Sequence, residues 1–369
     1  MKAFIVSSPY QILNSLQIYY PFDGEADMYV LEQFTNCSFL VDSLKRSGIF
    51  RQVVRVKNLT NVGRRRIKEF MDRNFFYTCK ASEFVEDRVY DRVFFAAMDL
   101  TVYILLKYMK KQNPQISIEM IEDGLGNYIG DCYKFTSVTD TCFHKIFGGQ
   151  VFLGESEVET IKKNLHLYAP QLVQNINMRD DVKKVVNNFI YSGFKERMND
   201  IYCFKKEDIP ESRVLAFDAS TSNGSDKIFD EQITDAIHLF THYFGEHEVG
   251  IKLHPRRKEN IYTQGVNWGK GDIPAEVYFA NMGDALSEKI VVSVISTSSV
   301  TPKVIFGKEP YIISLHRILQ SCGGIANEVS VRYGKFLEQL KDLYEDKGKI
   351  FMPESRKELE NIVRYLAAD

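Results

Sequence analysis

The chain has 369 residues, of which 44% are hydrophobic and 26% charged, and its formal net charge is −2. A chain of this length has more residues than usually share a single hydrophobic core, so two domains are predicted. The balanced charge gives no general attraction for nucleic acid or an anionic membrane, which argues against a nucleic-acid partner. The six cysteines form no C-x-x-C pair, which favours reduced thiols in the cytoplasm over zinc sites or disulfides.

Strands and helices alternate through the first part of the chain, a pattern typical of βαβ units around a parallel sheet. The apolar N-terminal run is too short for a signal sequence or a membrane span, so it is predicted to be a buried strand. Strands are predicted over 2–7, 27–31, 52–56, 90–97 and 116–121, and helices from Gln11, over 64–85 and over 99–111. The polar stretch 165–210 is predicted to be helical and to contain the domain junction.

A second alternating series follows the junction. Strands are predicted over 213–217, 248–253, 289–295 and 308–315, with helices over 230–244 and 354–369. We therefore expect an N-terminal Rossmann-like domain over 1–205, a second domain over 206–353, and a C-terminal helix over 354–369. Ligands bind at the carboxyl ends of strands in open α/β sheets, and three polar motifs fall at such ends.

The first motif is Glu122-Asp123-Gly124, which follows a predicted strand. A carboxylate at this place can accept a proton from an attacking hydroxyl. Asp-Gly is also a common turn pair, so a structural interpretation stays open. A dinucleotide loop is not favoured, because the third glycine after Gly124 and Gly126 is displaced to Gly130.

The second motif is His254-Pro255, with the cations Arg256, Arg257 and Lys258 directly behind it. An imidazole at a strand end can donate a hydrogen bond or a proton to the phosphate of a departing nucleotide. The alternative is a loop of solvated basic residues that ends the strand.

The third motif is Ser296-Thr297-Ser298-Ser299, between a predicted buried strand and the start of a predicted helix. Hydroxyls and backbone N–H groups at such a place suit a phosphate. Capping of the helix by one of these residues is equally supported and is compatible with phosphate binding.

Other candidates have weaker support. His238 and His242 are predicted to form a surface pair, since the glutamate of an HExxH zinc motif is missing. No Asp-x-Asp occurs in the chain, so neither a metal nor a cofactor is expected. The basic cluster from Arg64 to Lys68 is interpreted as a solvated helix face, or else as a contact for an anionic acceptor.

The order of these motifs is similar to that of bacterial sialyltransferases, and the chain resembles glycosyltransferase family 52, which includes lipooligosaccharide and capsule sialyltransferases. Similar segments are scattered from residue 2 to about 315; they are Ser8-Pro9-Tyr10-Gln11, Glu122 to Asn127, Leu253 to Arg256, and Ile273-Pro274-Ala275-Glu276. The resemblance implies a GT-B-type α/β fold, in which two Rossmann-like domains face each other across a cleft. It also implies inverting, metal-independent transfer of sialic acid from CMP-sialic acid to a surface glycan.

The resemblance also implies roles for individual residues. Glu122 would be the general base with Asp123 beside it, and Asp218 is the rival base. His254 would stabilise the departing phosphate. Donor contacts are expected from Pro255, Arg256, Glu276, Ser296, Thr297, Ser298 and Ser299, and acceptor contacts from Ser8, Pro9, Tyr10, Gln11 and Asn127.

The implied partners are CMP-sialic acid and an oligosaccharide or lipid-linked glycan acceptor. Peripheral association with the inner face of the plasma membrane and a homodimer both stay open. The alternatives are a glycosyltransferase that uses a UDP-sugar, a nucleotide-sugar epimerase, and a non-catalytic polysaccharide-binding or assembly protein. Release of CMP rather than UDP separates the first alternative from a sialyltransferase.

Overall fold

The computed structural model describes residues 1–58, 66–130, 142, 146, 152–174, 182–218, 227–254, 257, 260–270 and 273–368. The chain divides into two compact units, Met1–Arg197 and Met198–Asp369. This division falls inside a helix, Ser192–Ile201, whereas the sequence places the junction after residue 205. Within the described residues, no helix is both long and apolar enough to cross a membrane.

The first unit contains a parallel sheet of seven strands in the order β3-β2-β1-β4-β5-β6-β7. The strands are β1 Lys2–Val6, β2 Ala26–Leu31, β3 Gln52–Val56, β4 Arg92–Phe95, β5 Ser117–Ile121, β6 Leu165–Leu167 and β7 Lys183–Lys184. The helices are α1 Pro9–Tyr19, α2 Cys37–Ser47, α3 Arg66–Asn74, α4 Tyr77–Val85, α5 Leu100–Gln112, α6 Gly126–Ile129, α7 Glu155–Lys163 and α8 Ser192–Ile201.

Helix α1 begins directly after the first strand because its start is well capped. The Ser8 side chain accepts a hydrogen bond from the Gln11 backbone N–H, and Pro9 occupies the first turn, where a missing N–H costs nothing. Strand β1 is almost fully buried, which explains its uninterrupted apolar sequence. The strand order reverses between β1 and β4, so a crevice for ligands is expected at the carboxyl ends there.

The second unit contains a parallel sheet of six strands in the order β10-β9-β8-β11-β12-β13. The strands are β8 Val214–Phe217, β9 Val249–Lys252, β10 Val266–Asn267, β11 Ile290–Ser293, β12 Tyr311–Ser314 and β13 Ile350–Phe351. The helices are α9 Lys227–Phe244, α10 Ala275–Met282, α11 Thr301–Phe306, α12 His316–Ser321, α13 Asn327–Lys341 and α14 Arg356–Ala368. The order reverses between β8 and β11.

The C-terminal helix α14 is part of the core of the second unit. Leu359, Val363 and Leu366 are buried in one cluster with Phe240 of α9 and Ile313 of β12. Apolar residues at this spacing lie on one face of a helix, so the charged residues of α14 remain on the other face.

The predicted α/β class with two Rossmann-like domains is confirmed by the two parallel sheets. The prediction that 165–210 is helical throughout is wrong. Leu165 and Leu167 are buried in β6, which pairs with β5 and with β7 and so extends the first sheet. Their apolar-polar-apolar alternation is a strand pattern that the surrounding polar residues obscure.

Candidate active site

The side chain of Gln11 connects the first turn of α1 with the acidic motif after β5. Its Oε1 accepts a hydrogen bond from the Ser7 backbone N–H at 2.6 Å, and its Nε2 donates to Asp123 Oδ1 at 2.5 Å. Because the Ser7 N–H fixes the amide oxygen, the amide nitrogen must face Asp123. Gln11 is 3% exposed, so it supports the acidic motif rather than presenting itself to a ligand.

Glu122 is buried and is surrounded by hydrogen-bond donors. Its Oε1 accepts from the Tyr10 hydroxyl at 2.8 Å, and its Oε2 accepts from the Tyr128 hydroxyl and from the Tyr168 backbone N–H at 3.1 Å. Burial and the negative charge of Glu122 raise the pKa of Tyr128 well above its usual value. Glu122 is only 2% exposed. The carboxylate of Glu122 is therefore enclosed by hydrogen-bond donors at the strand end.

Asp123, the next residue, is exposed to solvent. Its backbone N–H donates to Asn127 Oδ1 at 2.6 Å, and Gly124 follows with a φ of +111°, which favours glycine. The two carboxylates of the motif thus have opposite environments. Of the two, the carboxylate of Asp123, which accepts a hydrogen bond from Gln11, is the one in contact with solvent.

The structure brings the residues predicted to bind acceptor together with the acidic pair. Tyr10 contacts Glu122, Gln11 contacts Asp123, and Asn127 holds the backbone of the motif. Ser8 caps α1, and Pro9 is buried in its first turn. These contacts give this set a supporting role for the carboxylates.

Asp218, the rival base, lies at the end of β8 with a buried carboxylate. It accepts hydrogen bonds from the His254 backbone N–H at 3.1 Å, from Arg257 Nε at 2.6 Å and from the Tyr262 hydroxyl at 2.6 Å. Burial opposes the charge of Arg257, but its bonds with Asp218 and Asp230 raise the pKa of its guanidinium. The paired carboxylate of Asp218 thus anchors the loop after β9.

His254 follows the end of β9 and is partly exposed. Its backbone N–H is held by Asp218, and its carbonyl accepts from the Arg257 N–H at 2.8 Å. The loop is therefore fixed from within while the imidazole retains contact with solvent. Pro255, Arg256 and Lys258 lie outside the described residues, as do Arg64 and Arg65 of the basic cluster.

Glu276 lies in the first turn of α10 and is 2% exposed. Its Oε1 accepts a hydrogen bond from the Thr301 hydroxyl at 2.9 Å. Burial raises the pKa of this carboxyl group. The side chain of Glu276 thus faces α11 of its own unit, and its contact with a ribose stays a prediction.

The Ser/Thr motif forms a single 3₁₀ turn, Thr297–Ser299, between β11 and α11. Ser296, Thr297 and Ser298 are half-buried, whereas Ser299 is fully buried. The Ser299 hydroxyl donates to the Ser296 carbonyl at 2.7 Å, which closes the turn. The predicted helix begins only at Thr301, so this motif precedes the helix by one turn.

The sequence reasoning missed several residues that build these sites. Tyr128 and Tyr168 donate to Glu122, and Tyr262 donates to Asp218. The sequence groups Arg257 with the other cations behind His254, whereas in the structure it is an ion-pair partner of Asp218. Tyr168 lies 46 residues from Glu122 and Tyr262 lies 44 from Asp218, so no local sequence signal connects them.

Three solved structures resemble this chain at low sequence identity. UDP-GlcNAc 2-epimerase from Neisseria meningitidis, bound to UDP-GlcNAc, is 10% identical over 100% of both chains, with a TM-score of 0.41. The N-terminal domain of trehalose-6-phosphate phosphatase from Candida albicans is 10% identical over 100% of this chain and 93% of that one, with a TM-score of 0.40. The wall teichoic acid polymerase TagF is 9% identical over 100% of this chain and 88% of that one, with a TM-score of 0.43.

Among curated proteins, no sequence matches this chain. The model of one protein family does match it, from residue 2 to residue 314, which includes the acidic motif, His254 and the Ser/Thr turn. This family consists of sialyltransferases, the class of enzyme that the order of the motifs predicts. The chain belongs to the alpha-2,8-polysialyltransferase family.

Proposed function

We propose that this chain transfers sialic acid from CMP-sialic acid to a hydroxyl of a glycan acceptor, with inversion and without a metal ion. The exposed carboxylate of Asp123, fixed beside the buried Glu122, is the observation that carries the proposal. The family description supports a sialic acid residue as the acceptor, an α2,8 linkage and repeated addition. Surface glycans such as capsule or lipooligosaccharide, as in family 52, are the proposed class of product.

Asp123 acts as the general base in this proposal. Its carboxylate accepts the proton of the acceptor hydroxyl while the oxygen attacks the anomeric carbon of the donor. The bond from that carbon to the phosphate of CMP breaks in the same step, so the configuration inverts. A positioned carboxylate contributes about 10²–10⁴-fold to such a transfer. Gln11 donates to Asp123 Oδ1 and thereby orients it.

The second unit supplies the groups for the departing CMP. Negative charge grows on the phosphate as the bond breaks, and preorganised donors stabilise such charge. We assign this role to the imidazole of His254 and to the hydroxyls of Ser296 and Ser298, all of which retain partial exposure. Pro255 and Arg256 stay proposed donor contacts. CMP has a single phosphate, so the reaction does not require the metal that commonly binds a diphosphate.

The test is a transfer assay with a sialylated oligosaccharide acceptor and either CMP-sialic acid or UDP-sugars as donor. We expect release of CMP, elongation of the acceptor, and full activity in excess EDTA. Donor consumption should require acceptor, which separates transfer from epimerisation. Release of UDP, or loss of activity in EDTA with recovery on addition of Mg²⁺ or Mn²⁺, would contradict the proposal.

A further inference from the structure

A buried polar cluster lies beneath the Ser/Thr turn of the second unit. It consists of the side chains of Ser299, Ser314, His316 and Tyr333, each no more than 1% exposed. Apolar side chains would fill this space without the cost of desolvating polar groups. A hydrogen-bonded polar cluster instead favours one geometry, because each hydrogen bond restricts distance and angle.

Tyr333 supports the turn through Ser299. The Ser299 hydroxyl donates its proton to the Ser296 carbonyl at 2.7 Å. The Tyr333 hydroxyl lies 3.3 Å from Ser299 Oγ. Since the Ser299 proton is already used, Tyr333 is the donor in this contact. The hydrogen bonds therefore run from α13 through Ser299 to the first residue of the turn.

His316 supports the strand end that enters the turn. The Ser314 hydroxyl donates to the Val294 carbonyl at 2.9 Å, and His316 Nδ1 lies 2.8 Å from Ser314 Oγ. The Ser314 proton is used by Val294, so Nδ1 carries a proton and donates to Ser314. Burial and the nearby Arg317 charge lower the pKa of His316 to about 4, so the ring is neutral at physiological pH.

His316 and Tyr333, the two residues that support the turn, pack against each other. The rings of His316 and Tyr333 lie edge to face, with centroids 5.1 Å apart at 76°. Gly334 also borders the ring, since a Cβ at that position would lie in ordinary van der Waals contact with His316 Nε2, at 3.4 Å. Among the described residues, His316 Nε2 has no hydrogen-bond partner. The ring is therefore held through Nδ1, the nitrogen that contacts Ser314.

We propose that Tyr333 and His316 are positioning residues, which hold the Ser296–Ser299 turn in the geometry that binds the phosphate of the donor. This inference rests on the proposed function, since it takes the turn to be the donor-phosphate contact. Both residues lie beyond residue 314, where the family match ends. The half-buried Ser296 and Ser298 face the ligand, and the buried Ser299 passes the constraint from α13 to them.

The first test replaces Tyr333 with Phe and compares it with Tyr344→Phe. Tyr344 is also buried in the second unit, and its hydroxyl contacts the Pro310 carbonyl at 3.4 Å. Each substitution removes one buried hydroxyl. We expect Tyr333→Phe to raise the Kd for CMP and the KM for CMP-sialic acid about tenfold, with the acceptor KM unchanged. Tyr344→Phe should leave the affinity for CMP within about twofold of the wild-type value, although it should lower thermal stability about as much as Tyr333→Phe does.

The second test compares His316→Asn with His316→Leu, two side chains of similar volume. Asn can replace Nδ1–H with an amide donor to Ser314, whereas Leu cannot. We expect His316→Asn to retain CMP affinity within about threefold and His316→Leu to lose about tenfold. Equal losses in both variants, or equal CMP affinity in Tyr333→Phe and Tyr344→Phe, would overturn the positioning role.

A third variant, Ser296→Ala, separates this inference from the proposed function. If the wild type binds CMP and Ser296→Ala weakens binding while Tyr333→Phe does not, the positioning role alone is wrong. If the wild type does not bind CMP, or Ser296→Ala leaves binding unchanged, the assignment of the turn to the donor fails, and the positioning role fails with it. Calorimetry with CMP provides this readout without any need for turnover.

Discussion

Gln11 Nε2 donates to Asp123 Oδ1 at 2.5 Å, across 112 positions of the chain. The contact joins the first turn of α1, the helix that follows β1, to the end of β5. Strand β5 lies two positions from β1 in the sheet. It explains how an exposed carboxylate retains a fixed orientation, which general base catalysis requires. Two adjacent carboxylates, one buried and one exposed, can then have separate roles.

Asp123→Asn should abolish most turnover. An amide of the same shape cannot accept the acceptor proton, so we expect kcat to fall about 10²–10⁴-fold. CMP affinity should remain close to that of the wild type, because the proposed nucleotide contacts belong to the second unit. Steady-state kinetics and calorimetry measure the two effects. Retention of most activity in a folded Asp123→Asn protein would remove this residue from the mechanism.

Glu122→Gln provides the matched comparison at the neighbouring carboxylate. The amide nitrogen would face the donors of Tyr10, Tyr128 or the Tyr168 backbone, so one buried hydrogen bond must be lost. We expect a loss of stability of about 1–3 kcal/mol and a smaller fall in kcat than in Asp123→Asn. A stable Glu122→Gln protein without activity would instead make Glu122 the base.

His254→Ala should lower turnover about 10²-fold or more if the imidazole donates to the departing phosphate. The expected change in stability is small, since the loop is held through its backbone by Asp218 and Arg257. His242→Ala is the control, because this histidine is exposed on α9. Near-normal turnover in folded His254→Ala protein would show that the imidazole does not take part.

Asp218→Asn should destabilise the second unit rather than act on the proton transfer. Arg257 is 9% exposed and would lose one partner of a buried ion pair, a change that typically costs about 3–5 kcal/mol. Asp230→Asn is the matched control, since Asp230 contacts the same guanidinium but is 24% exposed. Chemical unfolding should show the larger loss for Asp218→Asn. Unchanged stability with complete loss of transfer would restore Asp218 as the base.

Because of Glu119, the stability of the first unit should decrease as the pH becomes acidic. Burial alone would raise its pKa, but hydrogen bonds from His166 and Arg92 outweigh burial and lower it to about 2. A lowered folded pKa stabilises the protein above the usual value near 4.5, and this contribution is lost as the pH falls toward 2. A shift of this size corresponds to about 3 kcal/mol.

Glu119→Gln tests this dependence, because the amide does not titrate. Unfolding by urea at pH 7 and at pH 3 should show a large stability difference between wild type and variant at pH 7 and a smaller one at pH 3. Asp91→Asn, on an exposed carboxylate of the same unit, should show no comparable change. The same difference at both pH values would mean that the ion pairs of Glu119 do not stabilise the fold.

The sequence predicted the sheets because their central strands, such as β2, β8, β9 and β11, are buried on both faces and therefore appear as largely apolar runs. It also located the polar motifs at strand ends, where the structure has them. The resemblance assigned the base to Glu122, and the sequence alone does not distinguish the environments of two adjacent acidic residues. The burial of Glu122 depends on Tyr10 and Tyr168, which come from remote parts of the chain. Long-range hydrogen bonds of this kind leave no periodic signal.

The contacts around the polar motifs of the second unit were equally hard to predict from the sequence. Arg257 stands among other cations in the sequence, which is typical of a solvated loop, but in the structure it pairs with Asp218 and Asp230. The support of the Ser/Thr turn by Tyr333 and His316 was not predictable either, because those residues belong to helices that follow the motif by many positions. Spatial neighbours decide which polar residue is buried, and one sequence does not record them.

Helix α14 has a practical consequence for anyone who wishes to work with a shorter protein. The family match ends at residue 314, which suggests a natural place to cut. Yet Leu359, Val363 and Leu366 fill the same core as Phe240 and Ile313. A truncated chain would present that apolar surface to water and would be expected to aggregate. The minimal unit for expression therefore extends well past the three polar motifs, to the final turn of α14.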